Sequence, residues 1–397
     1  MEYLDFNIWW FLPVFLTSAV FVAVVLPTIV RTAKRMNLYD THDERKVHIG
    51  DVPRLGGISF LPAILFSLLI VIAAISIFSP IGISFKYGPI TEVMMAMAGC
   101  VMLYIVGIID DVVGVSYKYK FVVQILAASM IIGSGLWIKD LHGIFGIHHL
   151  HPLIAIPLTV VIIVLIINSI NLIDGIDGLA SGLCLMGTFG YSIVFAYKEM
   201  NLYMVLAASM MGLLSVFYLY NTLGKPGVNK TFMGDTGSLT MGYLLAFFAI
   251  KVTSVTGFTP KSGASGVYFI YAVSLLLIPV MDVFRVFYAR IRDARAPFFP
   301  DKRHIHHKFL ALGMSMRQAR YLIFFISVAF LVMNIVIYCY LDLNINLLVL
   351  IDAVIWIAMN MIVTGRVKYL ISINDPIAHK FTDIGKGYKF KKRRRRN

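Results

Sequence analysis

The chain has 397 residues, 59% of them hydrophobic and 14% charged, with a mean hydropathy of +0.82. Soluble domains carry about 25% charged residues, so this composition excludes one and indicates an all-α polytopic integral membrane protein. The net charge of +14 does not mark a nucleic-acid binder: six basic residues form one run, Lys391 to Arg396, and most of the others fall in loops, where positive-inside topology puts them.

Apolar windows bounded by charges or turn residues predict eleven transmembrane helices, at 8–30, 57–79, 92–109, 121–138, 152–172, 179–197, 201–220, 237–253, 266–289, 321–340 and 345–364. The first window is too long for a signal-peptide core, and Glu2 and Asp5 precede it where a leader would be basic. Arg31, Lys34 and Arg35 follow it, which sets the N-terminus outside and the C-terminus in the cytoplasm. On that count 29 of the 35 Lys and Arg lie on the inside, five lie outside, and Arg285 sits within the ninth helix. Cys100, Cys184 and Cys339 are isolated in apolar spans and read as packing residues. No internal repeat of the kind that builds secondary transporters is visible.

Polar motifs recur where these helices meet the inner face. The first inside loop carries Arg45, Lys46, His48 and Arg54 ahead of Gly56-Gly57, a cationic, glycine-paired helix entry suited to phosphate. Asp110-Asp111 closes the third helix; adjacent carboxylates repel unless solvated or neutralised by a cation. In Asn171-Leu-Ile-Asp174-Gly-Ile-Asp177-Gly the spacing of three predicts one helical stripe of polar groups. Phe232-Met-Gly-Asp235-Thr-Gly-Ser238 opens the eighth helix with glycines and free N–H groups that suit an anion, and Phe232 offers a flat face to a base or sugar. The charged loop after Asp301 holds Arg303, His304, His306 and His307, a phosphate-binding and proton-shifting set. Acids gathered on one face, beside phosphate-binding cations, indicate a single metal-and-phosphate site, with Mg²⁺ the fitting hard cation. His148, His149 and His151 fall on the opposite face and read as an interfacial loop. In the ninth helix, Asp282 and Arg285 are spaced to satisfy one another as a structural pair.

Taken together, RKVH…PRLGG, IIDD, NLIDGIDG, FMGDTGS and HIHH, in that order over about residues 30 to 310, resemble the polyprenyl-phosphate N-acetylhexosamine-1-phosphate transferases. The RHIHHKF setting is closer to the WecA/TagO branch than to the related MraY branch. The resemblance implies a Mg-dependent phosphoglycosyl transferase in which Mn²⁺ can substitute. Such an enzyme moves a sugar 1-phosphate, GlcNAc-1-phosphate above others, from a UDP-HexNAc to undecaprenyl phosphate and releases UMP. The alternative is an MraY-type phospho-MurNAc-pentapeptide transfer. It further implies that Asp235 ligates the metal, that Asp110 and Asp111 act on the lipid phosphate or assist the metal, and that Asn171, Asp174 and Asp177 line the metal and nucleotide pocket. Phe232 would stack on uracil, with Arg303, His304, His306 and His307 on phosphates and sugar. The expected setting is the bacterial inner membrane, amid membrane lipid, with the active site on the cytoplasmic face; a homodimer is compatible with it. Residues 1–364 are then one transmembrane catalytic domain, and 365–397 a basic cytoplasmic tail expected to be disordered.

Overall fold

A computed structural model describes residues 10–36, 38, 52–78, 87–255, 266–294, 301–341 and 343–384. The described residues are almost entirely helical: α1 (Phe11–Arg35), α2 (Phe60–Phe78, entered through a 3-10 turn at Gly56–Ser59), α3 (Tyr87–Val113), α4 (Tyr117–Gly133), α5 (Pro152–Ile173), α6 (Leu179–Tyr197), α7 (Asn201–Leu223) and α8 (Gly234–Thr253). They continue with α9 (Val267–Leu275), α10 (Leu277–Arg292), α11 (Ile305–Ala311), α12 (Met316–Tyr340), α13 (Ile345–Ser372) and α14 (Pro376–Phe381). The protein is a multi-pass membrane protein. Among the described residues nine helices are long and apolar enough to cross a bilayer, or ten if a bent pair is one span. The predicted fourth span falls short of that test, because α4 is 17 residues long and ends at Gly133 rather than 138.

The predicted ninth helix is two helices, α9 and α10, meeting at a 63° bend. Pro279 explains the break. It has no N–H to give the Leu275 carbonyl, so it ends one ladder and is tolerated in the first turn of the next.

Helix α8 is the hub, packed against α3, α5 and α6 and lined with buried residues along nearly its whole length. Lipid offers no hydrophobic gain for helix pairing, so close approach between small residues does that work. A Cβ on Gly57 would fall 2.3 Å from the Gly237 nitrogen, and one on Gly107 would fall 2.4 Å from the Thr236 Cα. Hydroxyls tie the helices further: Ser18 Oγ donates to the Ser209 carbonyl (2.8 Å), and the Ser67 and Ser209 hydroxyls lie 2.7 Å apart. Far from the acid motifs, Lys251 near the end of α8 pairs with Glu92 near the start of α3 at 2.7 Å.

Two further departures from the sequence reading stand out. His148 and His149 belong to a short antiparallel hairpin, β1 (Asp140–Ile144) with β2 (Ile147–His149), turned through Gly143 and Gly146 at positive φ. That hairpin precedes α5 and so lies about 33 Å, one helix length, from Asp174 at the other end. The expected disordered tail is corrected at its start. Helix α13 runs eight residues past Thr364, and α14 folds back against α11.

Candidate active site

Because α3 and α5 both pack on α8, the C-terminal ends of the first two meet the N-terminal end of the third. Asp110 and Asp111, Asn171 and Asp174, and Asp235 thereby come together. Lys120, on the first turn of α4, bridges the carboxylates: its Nζ lies 2.9 Å from Asp110 Oδ2 and 2.6 Å from Asp235 Oδ2. Asn171 donates from Nδ2 to Asp235 Oδ1 (2.9 Å) and to Ser238 Oγ (2.8 Å). The Asn171 amide therefore aims Asp235 from the side opposite Lys120.

Asp111 does something the sequence did not announce. Its Oδ1 accepts the Asp235 N–H (2.8 Å), and its Oδ2 accepts the Thr236 N–H (2.9 Å) and hydroxyl (2.6 Å). It caps α8 from another helix, satisfying N–H groups that have no partner within α8 and meeting the positive end of the helix dipole. Gly234, at φ +68°, makes room: a Cβ there would lie 2.5 Å from Asp111 Oδ2.

The Asn171, Asp174, Asp177 stripe is not one helical face. Helix α5 ends at Ile173, Asp174 is its C-cap, and a turn through Gly178 at φ +75° carries Asp177 toward Lys230, with which it pairs. The turn is anchored by the Gly178 N–H on Asn221 Oδ1 (2.6 Å) and by Arg320 Nη1 on the Asp177 carbonyl (2.7 Å). Asp174 is held up at about 7 by burial, and further by the charges of Asp235, Asp177 and Asp111, with Arg54 opposing them. Those influences put Arg54 and four of the acids, Asp111, Asp174, Asp177 and Asp235, in one electrostatic neighbourhood. Arg45, Lys46 and His48 lie outside the described residues.

The end of the first loop is sewn to the FMGD motif by backbone bonds. Phe232 N–H donates to the Pro53 carbonyl (2.9 Å), Gly56 N–H to the Phe232 carbonyl (3.1 Å), and Gly57 N–H to the Met233 carbonyl (3.1 Å). Two motifs 178 residues apart in sequence, such as Pro53 and Thr231, thus form one wall, with the Thr231 hydroxyl on the Pro53 carbonyl at 3.0 Å.

The histidines reach this wall through Gly175. A Cβ there would fall 2.1 Å from His306 Nε2, so the ring rests directly on the turn between Asp174 and Asp177. The His304 and His306 rings are parallel to within 7°, and the His306 and His307 centroids are 4.3 Å apart. Asp282, wholly buried, pairs with Arg285 at 2.6 Å as the spacing predicted. It also holds His304 Nδ1 at 2.8 Å and accepts the Ile305 N–H at 3.1 Å, so it orients the first histidine and caps α11. Burial, then the neighbouring His304 charge, depresses His306 to about 3, and burial followed by His306 pushes His307 well down. Lys308 falls to about 7, through burial and then Arg285. The Arg303 guanidinium pairs with Asp293 (2.7 Å) and Asp301 (3.4 Å) and donates to the Ala289 carbonyl, so it secures its own loop. Asp301 is likewise structural, buried against Arg290 at 3.0 Å.

Magnesium is typically held by one or two carboxylates, with substrate phosphates completing the shell. Asp110 and Asp235 fit that pattern, since both already turn an oxygen toward a single cation, the Lys120 ammonium. Asp111 fits it poorly, because both its oxygens serve α8. Among the described residues no three acidic, histidine or cysteine side chains form a ready-made cage. Sequence reasoning passed over the roles of Lys120, Lys230 and Ser238. Of the three, Ser238 lay within the FMGDTGS motif, and Lys120 follows Asp110 by ten residues at a membrane boundary.

Residues 93–253 match glycosyl transferase family 4. The undecaprenyl-phosphate alpha-N-acetylglucosaminyl 1-phosphate transferase of Yersinia pestis is 30% identical over 313 residues, 78% of each chain. The probable undecaprenyl-phosphate N-acetylglucosaminyl 1-phosphate transferase of Bacillus subtilis (strain 168) is 30% identical over 386 residues, 94% of this chain and 95% of its own. The Escherichia coli (strain K12) undecaprenyl-phosphate alpha-N-acetylglucosaminyl 1-phosphate transferase is 28% identical over 296 residues, 74% of each.

Proposed function

This chain belongs to glycosyl transferase family 4, and from that membership we propose that it transfers N-acetylglucosamine 1-phosphate from UDP-GlcNAc to undecaprenyl phosphate, releasing UMP. The observation that carries the reading is the Asp110–Lys120–Asp235 bridge, built where α3, α4 and α8 meet. The names of the three relatives support GlcNAc as the sugar over the muramyl-pentapeptide alternative.

In this reading an oxygen of the lipid phosphate forms a bond to the β-phosphorus of UDP-GlcNAc, and the bond from that phosphorus to the α–β bridging oxygen breaks. Charge spreads over the transferring phosphoryl group, so positioning and cationic stabilisation supply most of the catalysis. Lys120, Arg54 and Lys230 are the cations beside the acids, while His306 and His307, kept neutral by burial, can donate hydrogen bonds without adding charge. Magnesium held by Asp235 and Asp110 would supply Lewis-acid neutralisation of the diphosphate. Asp174, with its raised affinity for a proton, is suited to accept one from the acceptor phosphate. The commitment of both Asp111 oxygens to α8 favours direct attack by the lipid phosphate over a covalent intermediate on Asp111. The excess of Lys and Arg in the predicted inside segments supports a cytoplasmic site in a bacterial inner membrane.

The test is a transfer assay with purified protein, undecaprenyl phosphate, Mg²⁺ and a panel of labelled UDP-sugars. Formation of lipid-linked GlcNAc-diphosphate with stoichiometric UMP is expected. Transfer confined to another sugar, or none, would overturn the assignment.

A further inference from the structure

We propose that the C-terminal segment, from the last turns of α13 through Asp383, is a clamp that positions the histidine helix α11 for transfer, with Asp383 as its positioning residue. Among the described residues, neither ring nitrogen of His306, nor Nδ1 of His307, has a hydrogen-bond partner. Their aim is therefore set by where the α11 backbone sits. With only seven residues, α11 is too short to hold its place by its own helical bonds.

Two buried lysines tie it down from either side. Before α11, the Lys302 N–H donates to Asp383 Oδ2 (3.0 Å) and Lys302 Nζ donates to the Lys380 carbonyl (2.9 Å). Within α11, Lys308 Nζ donates to Asn360 Oδ1 (3.0 Å) and Thr364 Oγ1 (2.9 Å) on α13. Lys302, Lys308 and Asp383 are 8%, 3% and 5% exposed, so each of these bonds sits in a buried setting where a lost hydrogen bond is costly. The segment is a built element: Asp375 Oδ1 caps α14 through the Ile377 and Ala378 N–H groups, both at 2.9 Å, and Ala378 and Thr382 are buried. It lies outside residues 93–253, which match the family.

The clamp rests on the transfer reading above, and its test separates the two. Full-length protein is compared with Asp383→Ala, Asp383→Asn, Thr364→Val and a deletion of 385–397, by transfer kinetics and by hydrogen exchange of the 305–311 amides. Asp383→Ala should lower kcat at least about tenfold with KM for UDP-GlcNAc within about threefold, and should speed exchange across α11. Asp383→Asn keeps an oxygen for the Lys302 N–H and should restore both, and the deletion should leave both unchanged. Wild-type kcat and exchange in Asp383→Ala would overturn the clamp, as would an asparagine variant as impaired as the alanine one. Should the alanine variant not accumulate folded, Thr364→Val, which removes one of the two Lys308 acceptors, must show the same paired change in milder form; no change there overturns the proposal. Absence of transfer in wild type would sink the transfer reading alone, because the exchange measurement still decides the clamp.

Discussion

Lys120 Nζ lies 2.6 Å from Asp235 Oδ2, an ammonium set against one of the two carboxylates proposed to hold a metal. The same nitrogen reaches Asp110, so one cation already serves both acids. A divalent ion bound there would compete with Lys120 for the same oxygens. Lys120→Met should tighten Mn²⁺ binding in the absence of substrate, by about tenfold if the competition is worth about 1.4 kcal/mol, while slowing transfer. Electron paramagnetic resonance of free Mn²⁺ reads the affinity directly; unchanged or weaker binding would show that Lys120 supports the metal site instead of competing for it.

The two neighbouring acids Asp111 and Asp235 should separate into a stability role and a chemical role. Asp111→Ala removes the cap of α8 and should cost about 1 kcal/mol or more of stability, visible as a lower unfolding temperature in detergent. Asp235→Asn should leave that temperature close to wild type and abolish nearly all turnover. If the two variants behave alike in both measurements, the division of labour is wrong.

Gly175→Ala places a methyl group 2.1 Å from His306 Nε2, a distance that forces the ring off the turn. Transfer should fall at least about tenfold, roughly 1.4 kcal/mol of transition-state interaction. Gly365→Ala, where a Cβ meets nothing within 4 Å, is the control and should leave the rate unchanged. Equal rates in both variants would remove His306 from the site.

His306 also makes a prediction about pH. Its folded-state affinity for a proton is depressed to about 3 from an ordinary 6.5, so the unfolded chain binds a proton first. Stability from this group is complete above about 6.5 and is lost as pH falls toward 3. Unfolding temperatures measured from pH 8 to pH 5 should drop on the acid side, and less steeply in His306→Gln. Parallel curves would mean that the ring is accessible and titrates normally.

The polar motifs were legible because each interrupts an apolar run at a bilayer boundary, where a charge needs a reason. Asp110, Asn171, Asp174, Asp235 and His306 all meet in space. What stayed hidden depends on contacts that no local pattern encodes. Asp111 and Asp110 are adjacent and chemically identical, yet helix geometry sends one to α8 and the other to Lys120. The break at Leu276 follows from Pro279, but a proline in a long apolar window reads equally as a tolerated kink. The polar residues after Thr364 resemble a tail by composition, and long-range contacts such as the Lys302–Asp383 bond, 81 residues apart, make part of them structure.

The two histidine clusters provide the most direct test of the central claim, that the transfer site lies where the acids meet α11. Both clusters are rich in imidazole, but His306 rests on the Asp174–Asp177 turn, whereas His148 and His149 sit on the hairpin at the other end of α5. The measurement is the initial rate of transfer from UDP-GlcNAc to undecaprenyl phosphate at fixed Mg²⁺, with unfolding temperature as control. His306→Ala and His307→Ala should each lose at least about tenfold in rate, and the double change of His148 and His149 to Ala should stay within about twofold of wild type. An essential hairpin pair with a dispensable α11 pair would contradict the account.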